Sequence, residues 1–183
     1  MKLSPRLAEL GVRPVEAADA AELHALIEAN RDYLAQWLPW AAGQDLPGTQ
    51  QFIAEAEAQW DRDDGCQAVI SPQGEILGVA GFHSIDWVNR NTSIGYWLAE
   101  DAQGKGTMTT VVRALVDHAF TAWKLHRIEI HAAPGNKPSR AIPERLGFRE
   151  EAVLREAELV GGNYLDTVVY GLLEGGENKR PVT

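Results

Sequence analysis

The stretch most able to do chemistry is a glycine-rich loop, Gln103-Gly104-Lys105-Gly106-Thr107-Met108, directly before a segment of helical periodicity. Glycine admits left-handed backbone conformations and lets a ligand approach the main chain closely. Successive backbone N–H groups in such a loop can point at one anion, and the N-terminus of a following helix adds unpaired donors. The loop predicts a phosphate-binding turn, and a plain turn between a strand and a helix is the alternative.

Two common phosphate-binding patterns do not fit this loop. A P-loop needs a glycine five positions before Gly104, where the chain has Ala99. The dinucleotide fingerprint needs a third glycine at the position of Thr109. Lys105 stands between the two glycines and could reach a phosphate as a point charge, or it could be a solvated loop lysine.

A second group of polar residues begins a short helical segment. Asn136 precedes this segment and can cap it. Pro143 fits the segment poorly, because it lacks the N–H that would bond the carbonyl of Ser139 four residues earlier. The helix is therefore expected to be kinked or tightened near Ser139. The alternative role for the Ser139 hydroxyl is a bond to its own backbone.

Carboxylates are frequent late in the chain, at Glu150, Glu151, Glu156 and Glu158. A partly buried carboxylate has a raised pKa and can act as a general base near neutral pH. On a regular strand Glu156 and Glu158 would share one face, unless a bulge intervenes. The five histidines form no His-x-x-x-His or His-x-Glu pattern, so no metal site is predicted.

The order of the helices and strands indicates how these residues are positioned. Helical spacing and helix-start signals predict helices from Asp19, as a cap, to about Asn30, from Arg31 to Leu38, from Gln50 to about Arg62, from Met108 to Trp123 and from Lys137 to Arg145. Alternation predicts strands at Val12 to Val15, Gln67 to Ile70, Ile76 to Ser84, Thr92 to Leu98, Arg127 to His131, Glu151 to Leu159 and Tyr164 to Leu173. This order predicts an α+β fold whose mixed, mostly antiparallel central sheet is flanked by helices.

Length and composition suit a single domain over residues 1–183, because 183 residues with 45% apolar side chains can bury a full core. The polar, Gly-rich residues 174–183 are expected to form a loose tail. A net charge of −9 argues against nucleic acid as a ligand, since an acidic surface repels phosphates. The same charge could steer a basic partner.

The lone cysteine, Cys66, cannot form an internal disulfide and is expected to be a small buried hydrophobe. No apolar run approaches the roughly 18 residues that a membrane span needs, and the charged N-terminus has no signal-peptide core. We therefore expect a cytoplasmic protein without a membrane partner. The sequence leaves the oligomeric state open, a homodimer included.

Several separated motifs, in order, resemble the GNAT superfamily of acyl-CoA-dependent N-acetyltransferases. The family's diphosphate loop reads Gln/Arg-x-x-Gly-x-Gly/Ala, which Gln103 and Gly106 match and from which Met108 departs. Within the superfamily the chain is similar to the branch that acetylates the N-termini of ribosomal proteins. The segments that carry this similarity span nearly the whole chain and read Tyr33-Leu34-Ala35-Gln36-Trp37-Leu38-Pro39-Trp40, Ile94-Gly95-Tyr96-Trp97-Leu98, Asn136-Lys137-Pro138-Ser139, Arg155-Glu156-Ala157-Glu158-Leu159 and Tyr164 to Leu172.

The resemblance implies a GNAT fold in which the strand before the loop splays from the next parallel strand, so that the cofactor's pantetheine arm lies in the gap. The splayed strand would be Tyr96-Trp97-Leu98. The diphosphate of acetyl-CoA would lie on the loop residues Gly104, Lys105, Gly106, Thr107 and Met108. By the same resemblance Asn136 contacts the cofactor, with a pure helix cap as the alternative.

The resemblance also implies catalytic roles. Many superfamily members place a tyrosine four residues before a Gly-Phe pair as general acid, and this chain has Pro143 there. In the branch a serine at the position of Ser139 is the proton donor instead, and a glutamate at the position of Glu158 is the general base. A solvated charge on an edge strand is the alternative for Glu158. Trp37 and Trp40 would line the acceptor site, with core packing as the alternative.

The function implied is transfer of an acetyl group from acetyl-CoA to an amine, by direct attack assisted by a general base. The acceptor would be the N-terminal amine of a protein, such as a ribosomal protein. One alternative is the same chemistry on a small amine, and another is a non-catalytic module that binds acyl-CoA. The sequence does not exclude acyl groups longer than acetyl.

Overall fold

The computed structural model describes residues 2–175 of the chain. Its strands are β1 (Val12–Pro14), β2 (Cys66–Ile70), β3 (Gly78–Phe82), β4 (Asn91–Leu98), β5 (Arg127–Ala132), β6 (Arg149–Val160) and β7 (Asn163–Leu173). Its α-helices are α1 (Pro5–Glu9), α2 (Ala20–Ala29), α3 (Arg31–Leu34), α4 (Leu46–Asp61), α5 (Thr107–Thr121) and α6 (Lys137–Arg145). Of the expected loose tail, residues 176–183 lie outside the described part of the chain.

The strands form a seven-stranded sheet in the order β1-β2-β3-β4-β5-β7-β6. Every neighbouring pair is antiparallel except β4 and β5, which are parallel. The parallel pairing joins residues 91–93 to residues 127–129 and then stops, so β4 and β5 separate beyond Ser93 and Glu129. The predicted α+β fold is confirmed, including its mostly antiparallel sheet and its splayed strand pair.

Apolar side chains cover both faces of the sheet. Helices α5 and α6 pack on one face, where residues such as Val112, Ile128 and Tyr170 form the larger core. Helices α2 and α4 pack on the other face against Val69 and Val79. Alternation along β4 follows this division, since Ile94 and Leu98 belong to the first core and Trp97 packs against the second. The two layers hold the splayed end of β4 between them.

Two expectations about the first helices were wrong. The Asp19 side chain makes no cap bond to α2, because its carboxylate accepts hydrogen bonds from the Arg13 guanidinium at 2.7 and 2.8 Å and from the Glu16 N–H. The second short helix ends at Leu34 rather than Leu38. Beyond it the Trp37 and Leu38 N–H groups share the Leu34 carbonyl, so the chain continues as an irregular turn. Pro39 disfavours helical geometry in the residue before it.

Other boundaries moved by a few residues. Helix α4 begins at Leu46, four residues earlier than expected, because the Asp45 carboxylate accepts from the Gly48 N–H as a cap. The hairpin of β2 and β3 was predicted correctly, although β3 is shorter than expected. Helix α1 was not predicted at all. Its single buried apolar residue, Leu7, gives too little periodicity to recognise.

Candidate active site

A cavity of about 550 Å³ opens beside the end of β4, on the edge that has separated from β5. It brings together most of the residues that the sequence singled out, namely Trp37, Tyr96, Trp97, Leu98, Gln103, Gly104, Gly106, Thr107, Met108, Asn136 and Ser139. Three predicted site residues, Lys105, Trp40 and Glu158, do not line it. The glycine loop, the splayed strand and the start of α6 thus meet around one space.

The glycine loop has the backbone geometry that the sequence predicted. Gly104 and Gly106 have φ values of 72° and 77°, in the left-handed region that favours glycine. A Cβ atom at either position would meet no other atom within 4 Å, so the space beside the loop is open. No side chain caps the start of α5, while Met108 is anchored in the core. The loop therefore presents free backbone donors to the cavity.

Gln103 connects this loop to its surroundings. Its Nε2 donates to the Leu98 carbonyl at 3.2 Å, which ties the loop to the end of β4. Its Oε1 accepts from the Tyr33 hydroxyl at 3.0 Å, which ties the loop to α3. Gln103 therefore holds its own loop in place, and Tyr33 is a site residue that the sequence analysis did not identify.

Ser139 lies in the first turn of α6, opposite the β4 tyrosine. The Asn136 side chain accepts from the Ser139 N–H at 3.2 Å, so the predicted helix cap is present. The Tyr96 hydroxyl donates to the Ser139 carbonyl at 3.0 Å, and the Ser139 Oγ lies 3.5 Å from the same hydroxyl oxygen. Burial raises the pKa of Tyr96 to about 12. At neutral pH this hydroxyl is therefore protonated and can donate.

A polar row, consisting of His83, Ser93, Glu129 and His131, lies on the sheet face opposite α5 and α6. The His83 Nδ1 lies 2.8 Å from the Ser93 Oγ, and the His131 Nε2 lies 2.8 Å from a Glu129 carboxylate oxygen. Burial opposes ionisation of Glu129, yet hydrogen bonds from His131 and Arg127 lower its pKa overall. The polar row borders the point where β4 and β5 separate.

Glu158 lies on β6 on the same face as the polar row. It pairs with Leu165 of β7, directly after a bulge that shifts the register between Leu154 and Glu158. Burial raises the pKa of Glu158, and the charge of His131 partly opposes that shift. Glu156 instead has a left-handed φ of 50° and is exposed. The bulge therefore gives the two carboxylates different surroundings.

Comparison with known proteins agrees with this geometry. Residues 9–149 match the acetyltransferase (GNAT) domain family. The chain belongs to the acetyltransferase (GNAT) family. As a GNAT acetyltransferase it is an enzyme that transfers an acetyl group to an amine.

Named relatives cover most of the chain. One relative is YdaF of Bacillus subtilis (strain 168), which is named as a ribosomal N-acetyltransferase by assignment. It is 38% identical over 89% of this chain and 90% of its own. The ribosomal-protein-serine acetyltransferase of Escherichia coli (strain K12) is 28% identical over 85% of this chain and 94% of its own. A solved structure of RimL, a ribosomal L7/L12 α-N-protein acetyltransferase in complex with coenzyme A, superposes with a TM-score of 0.86 at 28% identity, covering 91% of this chain and 94% of that one.

Two arginines in this GNAT cavity were missed by the sequence analysis. Arg113 on α5 and Arg145 at the end of α6 both line it. Arg113 follows Thr109 and Thr110, which also line the cavity, by four and three residues, so helical spacing from the loop could have identified it. Arg145 gives no such signal, because its place in the cavity depends on how α6 packs.

The two tryptophans of the predicted acceptor wall have different positions. Trp37 lines the cavity and lies against Gly135, where an added Cβ would come within 3.3 Å of its ring. Trp40 lies outside the cavity and packs against Trp97, with 6.1 Å between ring centroids. The Arg31 guanidinium donates to the carbonyls of residues 41, 42 and 44, which holds the segment directly after Trp40 against α3.

Residues 2–175 contain no group of three or more His, Cys, Asp or Glu arranged to hold a metal ion. The lone Cys66 is buried, and burial raises the pKa of its thiol to about 12, so it is a packing residue. Within the described residues no helix has the length and apolar character of a membrane span.

Proposed function

We propose that this enzyme acetylates the N-terminal amine of a protein, with a ribosomal protein as the acceptor class and acetyl-CoA as the donor. The observation that carries the proposal is the cavity, in which the open glycine loop before α5 and the Ser139 hydroxyl lie together beside the splayed end of β4. The named relatives support the acceptor class, since the E. coli relative is named for serine of a ribosomal protein. A ribosomal acceptor would place the reaction in the cytoplasm.

The residues of the cavity fit acetyl-CoA. The backbone N–H groups from Gly104 to Met108 can bind a diphosphate, because the loop is open and no side chain caps the helix. Arg113 and Arg145 add positive charge for phosphate oxygens. Residues 96–98 pair with β3 on one edge and have no strand partner on the β5 edge, where their backbone can bond the amide groups of a pantetheine arm. Asn136 stands beside that path. Lys105 lies outside the cavity and would contribute charge only from the surface.

Acetyl-CoA supplies the acetyl group as a thioester when it is bound. Ser139 would then donate a hydrogen bond to the departing sulfur, since this residue lines the cavity. Glu158 would accept the proton of the attacking amine, because its raised pKa suits a general base and it lies on the face of the polar row. The amine would reach the acetyl group through the gap between β4 and β5, with Trp37 and Trp40 as part of the acceptor wall.

A panel of acceptors tests the proposal by release of free thiol from acetyl-CoA. The panel contains a basic peptide with a free N-terminal serine, the same peptide with that amine already acetylated, a polyamine and a free amino acid. We expect turnover with the first peptide only, with the added acetyl group located on its N-terminus by mass spectrometry. Turnover of only the polyamine or the amino acid would show that the acceptor is a small amine rather than a protein. Coenzyme A binding without turnover of any acceptor would instead indicate a binding module.

A further inference from the structure

The carbonyl of Ser139 lacks its usual helical partner. In a regular helix the N–H four residues later would bond this carbonyl, but that residue is Pro143, which has no N–H. Pro143 nevertheless lies inside α6 and is buried, so the helix continues through it. The carbonyl therefore needs a donor from elsewhere.

The Tyr96 hydroxyl is that donor. It comes from β4, 43 residues earlier in the chain, and its oxygen lies 3.0 Å from the Ser139 carbonyl oxygen. The same hydroxyl oxygen lies 3.5 Å from the Ser139 Oγ. At 3.5 Å this second contact is too long for a strong O–H···O bond, so the Ser139 hydroxyl proton is free to turn toward the cavity. One phenol thus contacts both the main chain and the side chain of Ser139.

We propose that Tyr96 is a positioning residue for Ser139, holding the first turn of α6 through its side-chain hydroxyl so that the Ser139 Oγ faces the cavity. This inference rests on the proposed role of Ser139 as donor to the sulfur. It assigns the Tyr96 side chain a function separate from any backbone contact that β4 makes with a pantetheine arm.

The proline supplies a direct test. Pro143→Ala returns an N–H that can bond the Ser139 carbonyl, so the helix no longer depends on Tyr96 for this contact. In the wild-type background Tyr96→Phe should lower kcat about 10-fold or more, because a misplaced catalytic group is costly. In the Pro143→Ala background Tyr96→Phe should lower kcat by a clearly smaller factor. Coenzyme A affinity, measured by calorimetry, should change little in either background.

A second cycle asks whether Tyr96 acts through Ser139. In the Ser139→Ala background Tyr96→Phe should cause little further loss of kcat, because two residues that act as a unit are not additive. Tyr170→Phe is the matched control. Its hydroxyl contacts Arg140 and Glu144 on the same helix, so its loss should affect thermal stability and leave the Ser139 cycle unchanged.

The possible outcomes separate this inference from the proposed function. Equal kcat losses for Tyr96→Phe in all three backgrounds, or no loss in the wild-type background, would overturn the positioning role. If no acceptor is turned over, the proposed function fails first, and thermal unfolding of the Tyr96 and Pro143 variants still tests the hydrogen bond. Tyr96→Phe should then lower the melting temperature more in the wild-type background than in the Pro143→Ala background, and an equal decrease would refute the contact.

Discussion

The Tyr33 hydroxyl donates to the Gln103 side chain across 70 residues of sequence, at 3.0 Å. This bond joins α3, which leads into the turn of Trp37 and Trp40, to the loop that is expected to hold the diphosphate. It therefore connects the predicted acceptor wall to the predicted cofactor loop through one contact.

Removing that contact should weaken cofactor binding. Tyr33→Phe leaves the Gln103 Oε1 without its donor, and one such hydrogen bond contributes about 1 kcal/mol, or about fivefold in a dissociation constant. We expect calorimetry to show coenzyme A binding weakened by that order, with a smaller change in kcat. Tyr164→Phe, at an exposed tyrosine, is the matched control. Unchanged affinity in Tyr33→Phe would show that Gln103 keeps the loop ordered without α3.

The predicted diphosphate loop can be tested with two substitutions that differ in charge but suit the same backbone conformation. Asp and Asn both tolerate the left-handed conformation of Gly106 better than most residues. Gly106→Asp should therefore weaken coenzyme A binding about 10-fold or more through repulsion of the phosphates, and Gly106→Asn should weaken it less. Isothermal titration gives both dissociation constants. Wild-type affinity in both variants would show that the diphosphate does not bind at this loop.

Ser139 is tested by removing its hydroxyl while its backbone contacts stay. In Ser139→Ala the Asn136 cap still accepts from the residue 139 N–H, so α6 should begin as before. Turnover should fall by about 10²-fold, within the usual range for one positioned proton donor, while coenzyme A affinity stays near wild type. Ser139→Thr keeps a hydroxyl and should retain more activity. A turnover close to wild type in the alanine variant would leave Ser139 with a structural role only.

Buried His118 should make the fold sensitive to acid. Both of its ring nitrogens lack a hydrogen-bond partner among the described residues, and it packs edge-on against Trp123. Burial lowers the pKa of His118 below its unfolded value. The unfolded state therefore binds the proton more readily than the folded state. The stability contributed by neutral His118 is present above the unfolded pKa and is lost as the pH falls through and below that pKa.

The measurement is the melting temperature between about pH 7.5 and pH 5.5, which spans the ordinary pKa of histidine. His118→Leu should melt with a weaker pH dependence than wild type, whatever its absolute stability. His126→Leu, at an exposed histidine, controls for loss of a histidine as such. Parallel pH curves for His118→Leu and wild type would show that another group governs acid sensitivity.

Local patterns were sufficient to predict most of the sheet and the long helices, since alternation and helical spacing are properties of neighbouring residues. The separation of β4 from β5 was expected only from family resemblance, because it depends on where a parallel pairing stops. The carboxylate of Asp19 was misread as a cap because its partner, Arg13, lies on another element. The contact of Tyr33 with Gln103 leaves no trace in local sequence for the same reason.

The bulge in β6 also could not be predicted from the sequence, and it places two neighbouring carboxylates in different surroundings. Glu158 is partly buried and its pKa is raised, whereas Glu156 is exposed on a left-handed backbone. If Glu158 is the general base, activity should increase as pH rises through its raised pKa, because only the carboxylate accepts a proton. Glu158→Gln keeps the shape and cannot accept it. Its rate at neutral pH should fall by about 10²-fold or more, and higher pH should recover part of the loss by deprotonating the amine directly.

Glu156→Gln is the matched control, two residues away on the same strand. It should retain most activity, and both variants should bind coenzyme A as wild type does, because neither residue lines the cavity. Full pH–rate profiles of the three proteins distinguish the outcomes. If Glu156→Gln loses its activity while Glu158→Gln keeps a normal rate, the base is Glu156 despite its exposure. Near-normal rates in both would mean that the amine loses its proton to water, and the family assignment would then stand without a carboxylate base.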